Sequence, residues 1–250
     1  MKPYKNPVPS LGSDNQKIEE KNFYIEKQGV YFVFIDVLGF KNNYEKHKES
    51  YEQVFLFYLK LMEETAFSRA NKEDYYVGQT SDSLYFYTKR VDYLVDFLKL
   101  YSYFSLYAMT QNVFFRGGIA KGTLSYKNKY QFYGNSVIRA YSMENNIAVN
   151  PRIMIDEETY QDIMATGLSN KLFEGEERHY FIPFAYYGIK DEVDEQLRRY
   201  NVNLEGKQID INRIGEVITK NLQDQEYESK NYDKYVYLKR QYEKIQSIRR

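Results

Sequence analysis

The sequence contains no cysteine and no tryptophan among its 250 residues. The absence of cysteine excludes disulfide bridges and thiolate metal sites, and it is typical of proteins in a reducing compartment. A run of about 20 apolar residues, which a transmembrane helix needs, is also lacking. The N-terminus shows no apolar core of a secretion signal. We therefore expect a soluble, cytoplasmic protein whose fold rests on its hydrophobic core.

The chain also lacks a net charge, because 35 lysine and arginine residues balance 35 aspartate and glutamate residues. This balance favours neither nucleic acid nor an anionic membrane as a partner, so any anion site must be local. The two histidines, His47 and His179, are far apart in the sequence, which argues against zinc chemistry. The Gly-x-x-x-x-Gly-Lys-Ser/Thr run of P-loop nucleotide hydrolases is absent as well.

Three segments differ in composition and periodicity along the chain. Residues 1–25 carry three prolines and several charges without a period, which predicts a flexible N-terminal arm. Residues 26–188 alternate between apolar, strand-like runs and amphipathic, helix-like runs. Residues 189–250 are charged, with helical patterns. We expect one compact domain over 26–188, followed by a helical C-terminal extension.

The patterns within the central segment follow the order β-α-β-β-α-β. The run VYFVFID at 30–36 is β-branched and aromatic, as in a strand that is covered on both faces. After a helical stretch, the runs at 74–80 and 82–88 predict a hairpin with Asp82 near its turn. A second helix leads to the glycine-containing strand at 113–126. This order is that of the split βαβ or ferredoxin-like fold, so we predict an α+β protein with an antiparallel sheet and helices on one face.

Further elements are predicted downstream of that order. A third helix is expected over residues 136–148, then a strand in PRIMID and a helix in EETYQDIMATG. In the C-terminal extension, the stretches INRIGEVITKNL and KYVYLKRQYEKIQSI have helical periodicity.

Two aspartates come to neighbouring strand ends in this arrangement. Asp36 ends the first strand, and Asp82 lies at the hairpin turn. Two carboxylates and a backbone carbonyl suit a divalent cation that also binds phosphate oxygens, as in phosphoryl-transfer enzymes. The backbone N–H groups of residues 37–40, which follow Asp36, can face a triphosphate. An aspartate before a glycine is also a common turn or helix-capping residue, so both interpretations stay open.

The stretches FIDVLGF, with Asp36, QTSDSLYF, with Asp82, and FRGGIAKGTLSYKNKYQFYGNSVIRAYSMENN together resemble the class III nucleotidyl cyclases. The resemblance covers residues 30–156 and is greatest to the pyrimidine cyclases of bacterial antiphage Pycsar systems. It implies the split βαβ fold and a homodimer with active sites at the interface. It also implies that Asp36 and Asp82 hold a pair of divalent cations, Mg²⁺ or Mn²⁺.

The function implied by the resemblance is the conversion of UTP or CTP into the 3′,5′-cyclic monophosphate and pyrophosphate. The product would be a second messenger of antiphage defence that a separate effector protein senses. Neither nucleic acid nor a membrane is expected as a partner.

The sequence departs from the family at the positions that contact the base and the transition state. The base-contacting lysine of adenylate cyclases falls on Gly78, and its partner aspartate falls on Gln131. The amide of Gln131 has a donor and an acceptor that suit a uracil or a cytosine edge, although an isolated glutamine is often only solvated. The transition-state asparagine and arginine fall on Ile138 and Ser142. A catalytically silent nucleotide-sensing or interaction module is therefore the alternative function.

Two other arginines are candidates to replace the transition-state arginine of the family. Arg139 precedes Ser142 by about one helical turn and can reach a triphosphate bidentately, or it is simply a surface residue. Arg116 stands among apolar residues and needs an anionic partner, either a phosphate or one of the carboxylates Glu144 and Asp156.

We expect Asp36, Asp82 and Arg139 to be catalytic, with the two aspartates as metal ligands. The residues expected to bind the nucleotide are Val37, Leu38, Gly39, Phe40, Gly78, Arg116 and Gln131. We also expect Phe40 and Tyr44 to narrow the base pocket and to favour a pyrimidine.

Overall fold

The computed structural model of the chain describes residues 25–62, 74–128, 131–146, 148–168, 173–175, 179–225 and 229–248. The predicted arm over residues 1–25 lies outside these ranges except for its last residue. Among the helices in these ranges, none has the length and apolar character needed to cross a membrane.

The elements, in chain order, are β1 Ile25–Val37, α1 Phe40–Leu61, β2 Tyr75–Thr80, β3 Ser83–Thr88, α2 Val91–Thr110, β4 Phe115–Asn128, β5 Gln131–Tyr133, α3 Asn135–Asn146, β6 Ile153–Ile155, α4 Glu157–Ala165, β7 Phe173–Glu174, β8 His179–Phe181, α5 Lys190–Arg199, α6 Ile211–Gln223 and α7 Lys230–Ile248. A 3₁₀ helix, Pro183–Gly188, precedes α5. The first six elements have the predicted β-α-β-β-α-β order. The strands β5, β7 and β8 are too short to give a periodic pattern, and the sequence did not predict them.

One sheet contains all of these strands, in the order β2-β3-β1-β4-β6-β8-β7, with β5 paired to β4. Each of the first four strands in this order is antiparallel to its neighbour, and their order is that of the split βαβ arrangement. The prediction of an α+β fold with a mainly antiparallel sheet is therefore confirmed. The pair β4 and β6 is parallel. Strand β1 lies between β3 and β4, which explains its continuous apolar run.

Helices cover both faces of the sheet. Successive side chains of β1 point to opposite faces and therefore contact different helices. Val33 and Ile35 belong to the large core cluster that also contains residues of α1 and α2. Phe32 belongs to a second cluster, together with Ala140 and Met143 of α3. The prediction that the helices lie on one face is therefore wrong, since α3 packs on the face opposite α1 and α2.

The approach of α3 to the sheet depends on glycines in β4. A Cβ atom on Gly118 would lie 2.2 Å from the carbonyl oxygen of Ala140, and one on Gly122 would lie 2.0 Å from Asn135 Oδ1. Any larger residue at either position would push α3 away from the strand. These glycines therefore allow the second layer of helix to form.

The C-terminal helices continue the core of the domain. The predicted helices in INRIGEVITKNL and KYVYLKRQYEKIQSI are confirmed as α6 and α7. The large cluster contains Val193 of α5, Ile214 of α6 and Leu238 of α7. Helix α2, whose residues are buried at nearly every position after its first turn, packs against α5, α6 and strand β3, and α7 packs against α6. Within the described residues, the C-terminal helices therefore share the large core cluster with the sheet.

We expect Leu238→Ala to lower the free energy of unfolding of the whole protein by about 2–4 kcal/mol, because it opens a cavity in the shared core. Leu238 is 0% exposed, whereas Leu56 on α1 is 68% exposed. Leu56→Ala is the matched control and should change stability by less than about 0.5 kcal/mol. Because the protein has no tryptophan, denaturant unfolding followed by tyrosine fluorescence and circular dichroism measures the stability of both variants. Two separate transitions, with only one shifted, would contradict a shared core.

Candidate metal and nucleotide site

The two aspartates that the sequence places at strand ends lie at the same end of the sheet. Asp36 is the register partner of Ser83 on β3 and of Arg116 on β4. Asp82 directly precedes Ser83, in the turn between β2 and β3. The split βαβ topology thus brings the two carboxylates together at the edge where β1 and β4 meet the first turn of α1.

A left-handed glycine ends the strand that carries Asp36. Gly39 has φ 72° and ψ 16° and stands directly before α1, in a conformation that a residue with a Cβ adopts only with strain. The Leu38 N–H donates to the carbonyl oxygen of Phe114 at 2.9 Å, which continues the pairing of β1 with β4. The Leu38 N–H is therefore already bonded, whereas the first N–H groups of a helix such as α1 have no partner within the helix.

The surroundings of Asp36 disfavour its negative charge. Burial raises the pKa of Asp36 to about 6, and the charge of Asp82 adds to this effect. The Arg116 guanidinium, the Val37 N–H and the Ser83 side chain act in the opposite direction without restoring the ordinary pKa. The site therefore holds more negative charge than its own cation compensates, and a bound divalent cation would relieve this repulsion.

A third carboxylate belongs to the same site. The side chain of Glu144 on α3 is 3% exposed, and its Oε1 lies 2.6 Å from Arg116 Nε. Burial raises the pKa of Glu144 to about 7, and the charges of Asp36 and Asp82 add to this, while Arg116 opposes it. The sequence predicts Glu144 only as one of two alternative carboxylate partners of Arg116. Its helical spacing of four residues from the sheet-facing Ala140 is the signal that points it inwards.

The site suits a hard cation that keeps open positions. No group of three or more His, Cys, Asp and Glu side chains is arranged to hold a metal within the described part of the chain. Asp36 and Asp82 would supply carboxylate oxygens to a cation, which would leave coordination positions for water and phosphate oxygens. Mg²⁺ is held in this way in many phosphate-transferring sites. The residues present therefore fit a Mg²⁺ or Mn²⁺ ion.

The space beside Gly78, where a side chain would lie, is filled by two aromatic rings. A Cβ atom on Gly78 would lie 2.4 Å from Tyr85 Cε2 and 2.9 Å from Tyr76 Cε1. The Tyr85 hydroxyl shares a hydrogen bond of 3.2 Å with Thr80 Oγ1. Gln131 is exposed on β5. A glycine at position 78 is thus required by the packing of the two tyrosines, whatever its part in base selection.

Arg139 lies away from the aspartates of its own protomer. It makes an ion pair of 2.7 Å with Asp156 Oδ2 and donates at 2.9 Å to the carbonyl oxygen of Lys121. Lys121 stands five positions along β4 from Arg116, which is about 16 Å at a rise of about 3.3 Å per residue. The structure therefore does not bring Arg139 together with Asp36, and a catalytic contact would have to be made across to a second protomer.

The aromatic residues that follow the turn pack on the face of the sheet opposite to the Asp36 side chain. The Phe40 ring is 5.0 Å from that of Tyr44 and 4.9 Å from that of Tyr51, and all three pack with the large core cluster. Asp36 points to the opposite face, towards α3. Phe40 and Tyr44 thus pack against the core of their own protomer, and their part in narrowing a base pocket stays a prediction.

The solved structures that this chain resembles include two cyclase domains. No family model and no curated protein matches the sequence. The catalytic core of a rhodopsin-guanylyl cyclase with converted specificity, in complex with ATPalphaS, is 17% identical and has a TM-score of 0.41, covering 63% of this chain and 95% of that one. A double mutant of the guanylyl cyclase domain of the RhoGC fusion protein from the aquatic fungus Blastocladiella emersonii is 16% identical, with a TM-score of 0.41 and coverages of 63% and 94%. Similarity of this extent does not identify the activity of the chain.

We expect Asp36→Asn to stabilise the metal-free protein at neutral pH. Because the pKa of Asp36 is raised to about 6, its ionisation costs stability increasingly between the ordinary aspartate pKa of about 4 and that value, fully at higher pH, and not at all where the carboxyl is protonated in both states. The gain should be about 1–3 kcal/mol near about pH 7.5 and should vanish near about pH 3. Unfolding of both proteins in chelator at the two pH values measures it.

The control for this experiment is Asp224→Asn, at an exposed aspartate that ends α6. Because this residue is exposed, its substitution should change stability by less than about 0.5 kcal/mol. A stability gain for Asp36→Asn that does not depend on pH would contradict the electrostatic origin.

Proposed function

We propose that this protein is a nucleotidyl cyclase that converts a nucleoside triphosphate into a 3′,5′-cyclic monophosphate and pyrophosphate. The observation that carries the proposal is the pairing of Asp36 with Asp82 at one sheet end, where their negative charge exceeds that of the neighbouring Arg116. The resemblance of the surrounding stretches to class III cyclases supports the same activity.

In the proposed reaction the ribose 3′ oxygen attacks the α-phosphorus in line, its proton passes to solvent, and the bond to the leaving pyrophosphate breaks. Asp36 and Asp82 supply carboxylate oxygens to divalent cations. When bound, such cations lower the pKa of the 3′-hydroxyl and neutralise charge on the leaving oxygens. The N–H groups of Gly39 and Phe40, at the start of α1, face the triphosphate. Catalysis on this proposal is mainly positioning and electrostatics.

A homodimer with active sites at its interface is part of the proposal. On α3, Ile138 is 68% and Tyr141 is 52% exposed, and Tyr133, just before this helix, is 57% exposed. The Tyr141 ring also makes an edge contact with Phe34 of the sheet, with centroids 5.4 Å apart. Large apolar side chains grouped on one exposed face favour burial against a second copy of the chain.

A pyrimidine substrate, UTP or CTP, is the base choice that we propose. Gly78 and Gln131 take the positions of the charged pair that reads a purine in adenylate cyclases, and the Gln131 amide can pair with either pyrimidine. By the same resemblance, the product would be a messenger of antiphage defence, sensed by a separate effector in the cytoplasm.

A catalytically silent nucleotide-binding module is the second candidate. The two transition-state positions carry Ile138 and Ser142, and Ser142 Oγ accepts a hydrogen bond from Asn146 Nδ2 at 3.2 Å. The neighbouring Arg139 is engaged with Asp156. This helix face therefore presents no arginine at the position that the family uses.

Incubation with Mn²⁺ and each of the four ribonucleoside triphosphates, followed by mass analysis of the products, tests the activity. We expect cyclic UMP or cyclic CMP to form in preference to the purine products. Asp36→Asn and Asp82→Asn should each reduce turnover by at least about a hundredfold, because each removes a charged metal ligand, while Asp224→Asn should not. Stabilisation by a triphosphate without pyrophosphate release would favour the silent module. A preference for ATP would overturn the pyrimidine assignment.

The dimer is tested by placing a charge on the exposed face of α3. Ile138→Glu should weaken self-association by about thirtyfold, which corresponds to about 2 kcal/mol for a buried interface residue. Leu56→Glu, at an equally exposed leucine on α1, is the matched control and should leave association unchanged. Sedimentation over a range of concentrations measures both variants. A wild-type monomer with full activity would contradict the interface.

A further inference from the structure

Arg116 lies between two carboxylates and is shared unequally by them. Its Nε is 2.6 Å from Glu144 Oε1, whereas its terminal NH2 is 3.9 Å from Asp36 Oδ2. The nearer carboxylate is 3% exposed, and the farther one is 23% exposed. The guanidinium is therefore held by the more deeply buried of its two partners.

The contact with Glu144 is a direct ion pair, and neither Arg116 Nε nor Glu144 Oε1 has another hydrogen-bond partner within the described ranges. A buried carboxylate without a cation costs several kcal/mol, so Glu144 needs Arg116 close by. If Glu144 lost its charge, Asp36, at 3.9 Å, would be the remaining carboxylate beside the guanidinium.

A guanidinium and a divalent cation compete for the same carboxylate oxygens. An unrestrained arginine pairs with a carboxylate bidentately at about 2.7–2.9 Å, which occupies both oxygens. Such a pair at Asp36 would also place a positive charge where the divalent cation must bind. The distance of 3.9 Å shows that Arg116 has not formed this pair.

We propose that Glu144 is a positioning residue that retains Arg116 and thereby leaves Asp36 available to a divalent cation. The proposal rests on the proposed function only in taking Asp36 as a cation ligand. Glu144 itself does not bind the cation on this proposal. It acts through Arg116, and its importance should disappear when Arg116 is removed.

The test measures Mn²⁺ binding to the full chain without nucleotide, from the loss of the free-ion signal in electron paramagnetic resonance. Glu144→Gln keeps the shape of the side chain and removes its charge. We expect it to weaken Mn²⁺ binding about tenfold, because Arg116 then pairs with Asp36. Glu205→Gln, the same substitution at an exposed site, should leave the affinity unchanged.

The double variant Arg116→Gln/Glu144→Gln decides between competition and a structural role. With no guanidinium to retain, its Mn²⁺ affinity should return to within about threefold of the wild type. This variant removes both buried charges together, which a fold tolerates better than the loss of one. It therefore keeps the proposal testable if Glu144→Gln alone does not fold.

Two results would overturn the proposal. One is an unchanged Mn²⁺ affinity in Glu144→Gln. The other is a double variant whose Mn²⁺ affinity stays about tenfold below that of the wild type. A wild-type protein whose Mn²⁺ binding is absent, or survives Asp36→Asn, would overturn the cation site itself and this inference with it. Absence of cyclic product beside intact, Asp36-dependent binding would overturn only the cyclase activity.

Discussion

Two carboxylates, Asp36 and Glu144, share one guanidinium beside a third carboxylate, Asp82, and this imbalance of charge is the constraint on which the site depends. Burial raises the pKa of both Asp36 and Glu144, although Arg116 lies beside them. A fold that served stability alone would replace such a group with apolar side chains, because buried ion pairs seldom repay their desolvation. On the proposed function, this unbalanced charge is where a divalent cation would bind.

The packing of the sheet decides whether this charge group can form at all. Gly118 lets the backbone of α3 approach β4 so closely that a Cβ would lie 2.2 Å from the Ala140 carbonyl oxygen. One turn farther along α3, Glu144 then reaches the Arg116 side chain. A helix displaced outwards by a larger residue at position 118 would leave Arg116 with Asp36 as its remaining carboxylate. Backbone approach and metal-site electrostatics are thus linked through a single glycine.

Much of the fold, but less of the site, could be predicted from the sequence. Strong periodicity in the first six elements gave their order, and that order alone brings Asp36 to Asp82. The face occupied by α3 was not predictable, because the glycines of β4 are equally compatible with bulges and with a packed helix. The surroundings of Phe40 and the partner of Arg139 depend on contacts between residues far apart in the chain, which no local pattern contains.

The distribution of positive charge limits how a triphosphate could be neutralised here. Of the two arginines that the sequence offers for this task, Arg116 is held by Glu144 and Arg139 by Asp156. Each would have to leave a carboxylate that is at most 8% exposed in order to reach a phosphate, which is unfavourable in a medium of low dielectric. On the proposed function, neither arginine therefore contributes readily to neutralising the triphosphate within one protomer, and the divalent cations, which the acidic character of the site attracts, take a large part in it.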